Sequence, residues 1–292
     1  MFRHFLLLLF GVMICSTAVI MMNASHTHPT VLAAWRLILA SLVMAPVAWH
    51  EYRKHAGTFT KAHLRRTMLP AVIFALHMIT WAIGARMTIA AQASLVVNFA
   101  PAAIPFFLHW FVGERINRAE IIGTLIALGG VAALTVRDAL AGGGSAWGNV
   151  MCFGSMLLFA CYLALGRKNR DFPSIWLYMV PVYAQAAVIC TLAALPWWHT
   201  YALDDSREWS LMIGLALLPT IIGHTTLNAS MRHLRGQIVS LCNVGQFIFA
   251  GIMAWFLFNQ VPPASFYLAS ALVVTGVSIV VFAAPSPPPR LR

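Results

Sequence analysis

Apolar stretches of about 20 residues, each long enough to cross a bilayer as a helix, recur along the whole chain between short polar breaks. They lie near 5–22, 30–49, 68–86, 91–111, 119–136, 147–166, 174–196, 209–229, 238–258 and 265–283. The pattern predicts an all-α integral membrane protein of ten transmembrane helices, with no room left for a separate soluble domain.

The stretch from Gln92 to Val131 has an echo from Gln237 to Val277. A shift of 145 residues lays Gln92 on Gln237, Asn98 on Asn243, Trp110 on Trp255 and Phe111 on Phe256. Each copy is an apolar span holding one Asn, an aromatic pair, a polar break and a second apolar span. Such order points to an internal duplication, and duplicated membrane chains are commonly transporters. The Gly142–Gly144 loop divides the chain into 1–141 (spans one to five) and 142–284 (spans six to ten). A Pro-rich tail, 285–292, reads as a disordered cytoplasmic end. An odd number of spans per half makes the two halves inverted five-helix repeats.

Composition agrees with the hydropathy. Of 292 residues 60% are hydrophobic and only 9% charged, with a mean hydropathy of +0.79, whereas soluble domains carry roughly a quarter charged residues. The net charge of +11 would suggest nucleic acid in a soluble protein, but the distribution of Lys and Arg explains it without such a partner. Arg86, Arg137 and Arg207 lie in one alternating set of loops, Arg36 lies within a span, and all the other Lys and Arg occupy the opposite set. That asymmetry places both termini of a multi-pass membrane protein in the cytoplasm. The run from Phe5 continues to Met22 without a small-residue cleavage site, so it reads as a first span rather than a signal peptide. The longest basic connection, His50–Arg66, sets topology and gives little support to a specific lipid site. Membrane lipid is otherwise the expected surroundings.

Polar residues inside the spans are the candidate chemistry. Arg36 sits about 9 Å inside span two, and all eight acidic residues lie in loops or at span ends. An intramembrane cation without a carboxylate partner either snorkels or meets an anionic substrate group. His77, Trp81 and Gly84 share a face of span three. In span four Pro101 and Pro105 each remove an N–H and block the carbonyl four residues back, beside Asn98. Irregular backbone at membrane depth needs protein or a wet cavity to satisfy it, so this pair is the candidate hinge. Ser155 and Tyr162 share a face of span six, Tyr178 and Gln185 of span seven, His224 and Asn228 of span eight, and Asn243 and Gln246 of span nine. Each polar stripe alone reads as interhelical glue; together they suggest one shared cavity. Spans five and ten carry only small packing residues, Gly123, Ala127 and Gly130 in one and Ala271 and Thr275 in the other, a surface that could also support a homodimer. The His26-x-His28 pair has the form of a metal-binding pair but no Cys, Asp or Glu nearby to complete a site, so it reads as solvated loop histidines. The five cysteines lack metal-ligand spacing, and no residue pattern calls for a cofactor.

Residues 85–115, with Pro101, the apolar run to Phe111 and the ending Gly113-Glu114-Arg115, resemble the EamA repeat of the drug/metabolite transporter superfamily. Arg36, Gly123 and Gly130 fit the same pattern, which covers essentially the whole chain as two repeats. The second copy has Gln246 at the proline position and Asn259-Gln260 at the Gly-Glu-Arg end. The resemblance implies a central substrate cavity between inverted repeats, with spans five and ten peripheral, and often the export of small metabolites or amino acids. A secondary transporter of a small amphipathic solute, working by alternating access, is therefore expected. Cationic drugs, nucleobases and sugar derivatives are alternative cargoes, and a channel is an alternative mechanism. An enzyme would need a nucleophile, metal cluster or carboxylate pair at membrane depth, and none stands in the sequence.

Overall fold

The structure is a computed structural model and describes residues 2–88, 93, 96–140, 145–200, 205–259, 261–262 and 264–283. Gln92, the Gly142–Gly144 loop and the 285–292 tail lie outside the described residues. Every regular element among those described is helical.

The first half contains α1 (Phe2–Cys15), α2 (Thr17–Ala24), α3 (Pro29–Lys54), α4 (Lys61–Arg66), α5 (Met68–Met87), α6 (Ala100–Val112) and α7 (Arg118–Leu140). The second contains α8 (Ala146–Lys168), α9 (Ile175–Ala194), α10 (Ser206–Leu215), a π-helical segment (Ala216–His224), α11 (Thr225–Met231), α12 (Gly236–Val244), α13 (Gln246–Phe258) and α14 (Ala264–Phe282). Among the described residues eight continuous or nearly continuous helices are long and apolar enough to cross a bilayer, and α6 is a shorter apolar helix.

Several spans that read as single rods in the hydropathy are interrupted. The first turns at Ser16, where Ser16 Oγ and Thr17 Oγ1 donate back to the carbonyls of Met13 and Ile14 in the helix-bending geometry of Ser and Thr. The fourth is broken at Asn98–Phe99, and α6 restarts at Ala100 with Pro101 in its first turn. There a missing N–H is harmless, so of the two prolines only Pro105 removes an interior bond. The ninth breaks at Gly245, matching the break in the fourth span although no proline stands there. The eighth widens to a π-helix around Pro219.

The fourth and ninth spans also end alike. Gly113 closes α6 at φ 72° and Asn259 closes α13 at φ 53°, both left-handed. Asn tolerates that region better than other non-glycine residues, so the change of Gly113 to Asn259 preserves the turn while discarding the motif.

The halves are interleaved. α3 packs on α9, α5 and α6 on α8, α1 on the π-segment, α11, α12 and α13, α6 on α12, and α7 on α14. Exchanging the first five spans for the second five leaves this set of contacts unchanged. The α7–α14 contact is so close that a Cβ added at Gly123 would lie 2.4 Å from the Gly276 carbonyl oxygen, and one at Gly276 would lie 2.3 Å from that of Gly123. The Gly123–Ala127–Gly130 surface is thus occupied within the chain. On α14 the packing face is Ala269, Val273, Gly276 and Val280, whereas the expected Ala271 and Thr275 are exposed. Large apolar residues such as Trp110 and Phe256, 80% and 77% exposed, cover the outside, as expected of a surface solvated by acyl chains.

Candidate substrate cavity

The interruptions converge. A cavity of ≈ 240 Å³ is lined by Ser16, Val19 and Met22 of the first span, Trp81 and Ala85 of the third, Ala93, Val97 and Asn98 of the fourth, and Asn243, Gln246, Phe247 and Ala250 of the ninth. Its polar patch comes from the breaks themselves: Ser16, Asn98 and the Asn243–Gln246 pair, where Gln246 Nε2 donates to Asn243 Oδ1 at 2.5 Å. Of the residues singled out in the sequence, Trp81, Asn98, Asn243 and Gln246 are brought together here.

Arg36 stands next to this cavity, behind a wall formed by Met22 and Trp81, which line both the cavity and the small void at the arginine. It is only 4% exposed, so it does not snorkel. Its Nε donates to Thr220 Oγ1, which in turn donates to the Leu215 carbonyl at 2.7 Å. That acceptor lies five residues back, at the entry to the π-segment. Tyr183 Oη donates to the Thr220 carbonyl at 2.9 Å and lies 3.1 Å from Thr225 Oγ1. One terminal nitrogen of Arg36 is buried with no hydrogen-bond partner, and among the described residues no carboxylate pairs with the guanidinium. A buried cation in that condition is costly and is stabilised by any anion that reaches it.

His77, Ser155, Tyr162, His224 and Asn228 form a third group that does not line the cavity. His77 Nδ1 lies 2.8 Å from Ser155 Oγ and 3.0 Å from its carbonyl. Its ring stacks on Phe159 with centroids 4.9 Å apart. Asn228 Nδ2 donates to Tyr162 Oη at 2.8 Å and to the His224 carbonyl at 3.0 Å. His224 is held edge-on by Phe74, with centroids 5.2 Å apart, and by Phe159 and Tyr162. Its Nδ1 and Asn228 Oδ1 are buried without partners. The third, sixth and eighth spans therefore do carry interhelical glue, as each stripe suggests singly.

Tyr178 and Gln185 belong elsewhere. Tyr178 is buried against Phe172, with ring centroids 5.2 Å apart. Gln185 donates to Thr67 Oγ1 at 2.9 Å and lines a lateral groove on the outside of the bundle. A shared helical face fixes their common direction but not which neighbour that face meets.

Gln237, known from the sequence only as the echo of Gln92, proves structurally central. Its Nε2 donates to the Pro101 carbonyl at 3.0 Å and to Thr124 Oγ1 at 2.7 Å. Pro105 deprives that carbonyl of its helical partner, and Gln237 supplies the replacement from the other half.

The two ends of the bundle are tied differently. On the side bearing most of the basic loops, Glu114 accepts from Arg167 Nε at 3.1 Å and from the Gly236 N–H at 3.2 Å. Arg235 bonds Glu120 at 2.5 and 3.0 Å and the Arg115 carbonyl at 2.7 Å, and Arg167 reaches the Met231 carbonyl at 2.7 Å. This network joins the Gly113-Glu114-Arg115 turn of the first half to the second half. On the opposite side Glu208 accepts from Ser25 Oγ at 2.5 Å, Thr27 Oγ1 at 2.6 Å and the His26 N–H at 3.0 Å.

A multi-pass helical bundle that encloses a polar cavity between its helices is an architecture that membrane transporters share. The chain belongs to the EamA-like transporter family, whose model matches residues 1–136 and 146–282. Similar proteins include the pseudopaline exporter CntI of Pseudomonas aeruginosa, 22% identical over 86% of this chain and 86% of that one. Another is the inner membrane protein YtfF of Escherichia coli, 25% identical over 87% and 86%. A solved crystal structure superposes with a TM-score of 0.80 over 96% of both chains at 15% identity, which establishes the fold.

Proposed function

We propose that the protein is a secondary transporter that exports a small amphipathic metabolite across a bacterial inner membrane. In this reading ten spans form two inverted repeats, 1–141 and 142–284, with both termini cytoplasmic. The conformation described is then open outward and shut toward the cytoplasm by the Glu114–Arg167–Arg235–Glu120 network. The relative named as an exporter supports the direction.

The observation that carries the substrate class is the unpartnered terminal nitrogen of buried Arg36. An anionic group that moves past Trp81 and Met22 would complete its hydrogen bonds without a competing protein carboxylate. Asn98, Asn243 and Gln246 would hold polar atoms of the same solute, and the Trp81 face its apolar part or an ammonium. A thermal-shift screen of the purified protein against carboxylates, amino acids and cationic drugs, repeated on Arg36→Gln, tests this. Carboxylate-bearing solutes should raise Tm in the natural protein and lose the effect in the variant. Stabilisation by cationic compounds alone, or hits indifferent to Arg36→Gln, would overturn the assignment.

A further inference from the structure

The basic loop between α3 and α5 has a neighbour that the sequence does not reveal. A groove of ≈ 600 Å³ runs down the outside of the bundle between the end of α3, α4 and the start of α9. Its rim is aromatic: Trp49 and Tyr52 lie 5.8 Å apart by ring centroids, and Tyr52 and Phe59 6.1 Å apart. Below the rim the walls are apolar, from Leu177 and Pro181 down to Gln185, a depth of about 12 Å along α9. Arg53 and Lys54 on one side and Lys61 and Arg65 on the other are exposed. Among the described residues no carboxylate lies within ion-pair distance of these four. Arg66, by contrast, is committed to Asp171 at 2.7 and 2.8 Å.

We infer that the groove is a binding site for one anionic phospholipid, its acyl chains lying against Leu177 and Pro181 and its phosphate held by Arg53, Lys54, Lys61 and Arg65. Depth, aromatic rim and free cations follow the profile of a leaflet, with hydrocarbon below, amphipathic rings at the interface and phosphate above. A soluble anion would use the cations and leave the apolar walls bare. A zwitterionic lipid would use the walls and gain little from the cations. The site lies apart from the cavity and stands whichever solute the cavity takes.

Native mass spectrometry of the detergent-purified full chain, titrated with an equimolar mixture of phosphatidylglycerol and phosphatidylethanolamine, tests the inference. The natural protein should retain phosphatidylglycerol preferentially. The combined variant R53Q/K54Q/K61Q/R65Q should weaken that preference by roughly fivefold per charge removed. Ala184→Phe, which fills the exposed groove wall and leaves every charge in place, should lower phosphatidylglycerol retention just as clearly. Circular dichroism melts would check that both variants remain folded. Undiminished binding in Ala184→Phe would place the lipid on the loop alone and overturn the groove, as would equal retention of the two lipids. Inorganic phosphate that displaced bound phosphatidylglycerol would also overturn it.

Discussion

Arg36 concentrates the chemistry of the molecule in one side chain. Its position in span two and the absence of any intramembrane acid are plain in the sequence, and the structure shows what holds it: a threonine hydroxyl of the π-segment. Replacing Thr220 by Val removes that acceptor and leaves Nε buried and unpaired, a loss of about 1–3 kcal/mol. The expected result is a lower Tm than that of the natural protein, with an anionic solute recovering more stability in Thr220→Val than in the parent because more of the guanidinium awaits it. Equal ligand-induced shifts in both proteins would refute the link between Thr220 and the site.

Residue-scale legibility stops at partner choice. Asn98, Asn243 and Gln246 meet because they flank chain breaks, and Trp81 of the unbroken α5 faces the same cavity. Gln185 sits on an equally good stripe, yet its helix turns that stripe outward toward Thr67. Nothing in one helix encodes its azimuth within the bundle. Gln237 shows the converse. Its task is defined by a carbonyl on another helix, so only knowledge of the α6–α12 contact could have found it. Gln237→Leu should cost about 1–3 kcal/mol by orphaning the Pro101 carbonyl, read as a drop in thermal midpoint.

At the scale of elements, hydropathy found apolar helices, eight of which among the described residues are long enough to cross a bilayer, because bilayer thickness dictates their length. It overlooked the interruptions at Ser16 and Gly245 and the π-segment, since a broken apolar helix is as apolar as a straight one. Pro219 was a visible cue to the last of these; Ser16 gives a weaker one. The α7–α14 seam allows a clean test of close packing. Gly123→Ala drives a methyl into the Gly276 carbonyl and should destabilise by about 1–3 kcal/mol. Gly129→Ala, six residues along the same helix, meets nothing within 4 Å and should be neutral or stabilising by about 0.5–1 kcal/mol. Similar melting curves for the two variants would show that the seam is looser than described.

For the molecule as a whole, the proposed export cycle requires the polar network at Glu114 to hold one end shut. In a background without native cysteines, Ser240→Cys places a thiol on α12, where the serine is buried to 1%. It should react slowly with a membrane-impermeant maleimide added from the basic-loop side. Adding Glu114→Gln, which removes the ion pairs to Arg167 and Arg235, should raise the labelling rate several-fold. An unchanged rate would mean that the seal lies elsewhere.

The left-handed residues that close α6 and α13 have a consequence for energetics. Glycine at one and asparagine at the other preserve a common bend, but only the former is followed by the glutamate that clasps the facing half. The ancestral copies have kept their shape and lost their parity. The turn of the first copy carries a carboxylate where the second carries Gln260, so the ion pairs that Glu114 makes with Arg167 and Arg235 have no sequence equivalent in the second copy.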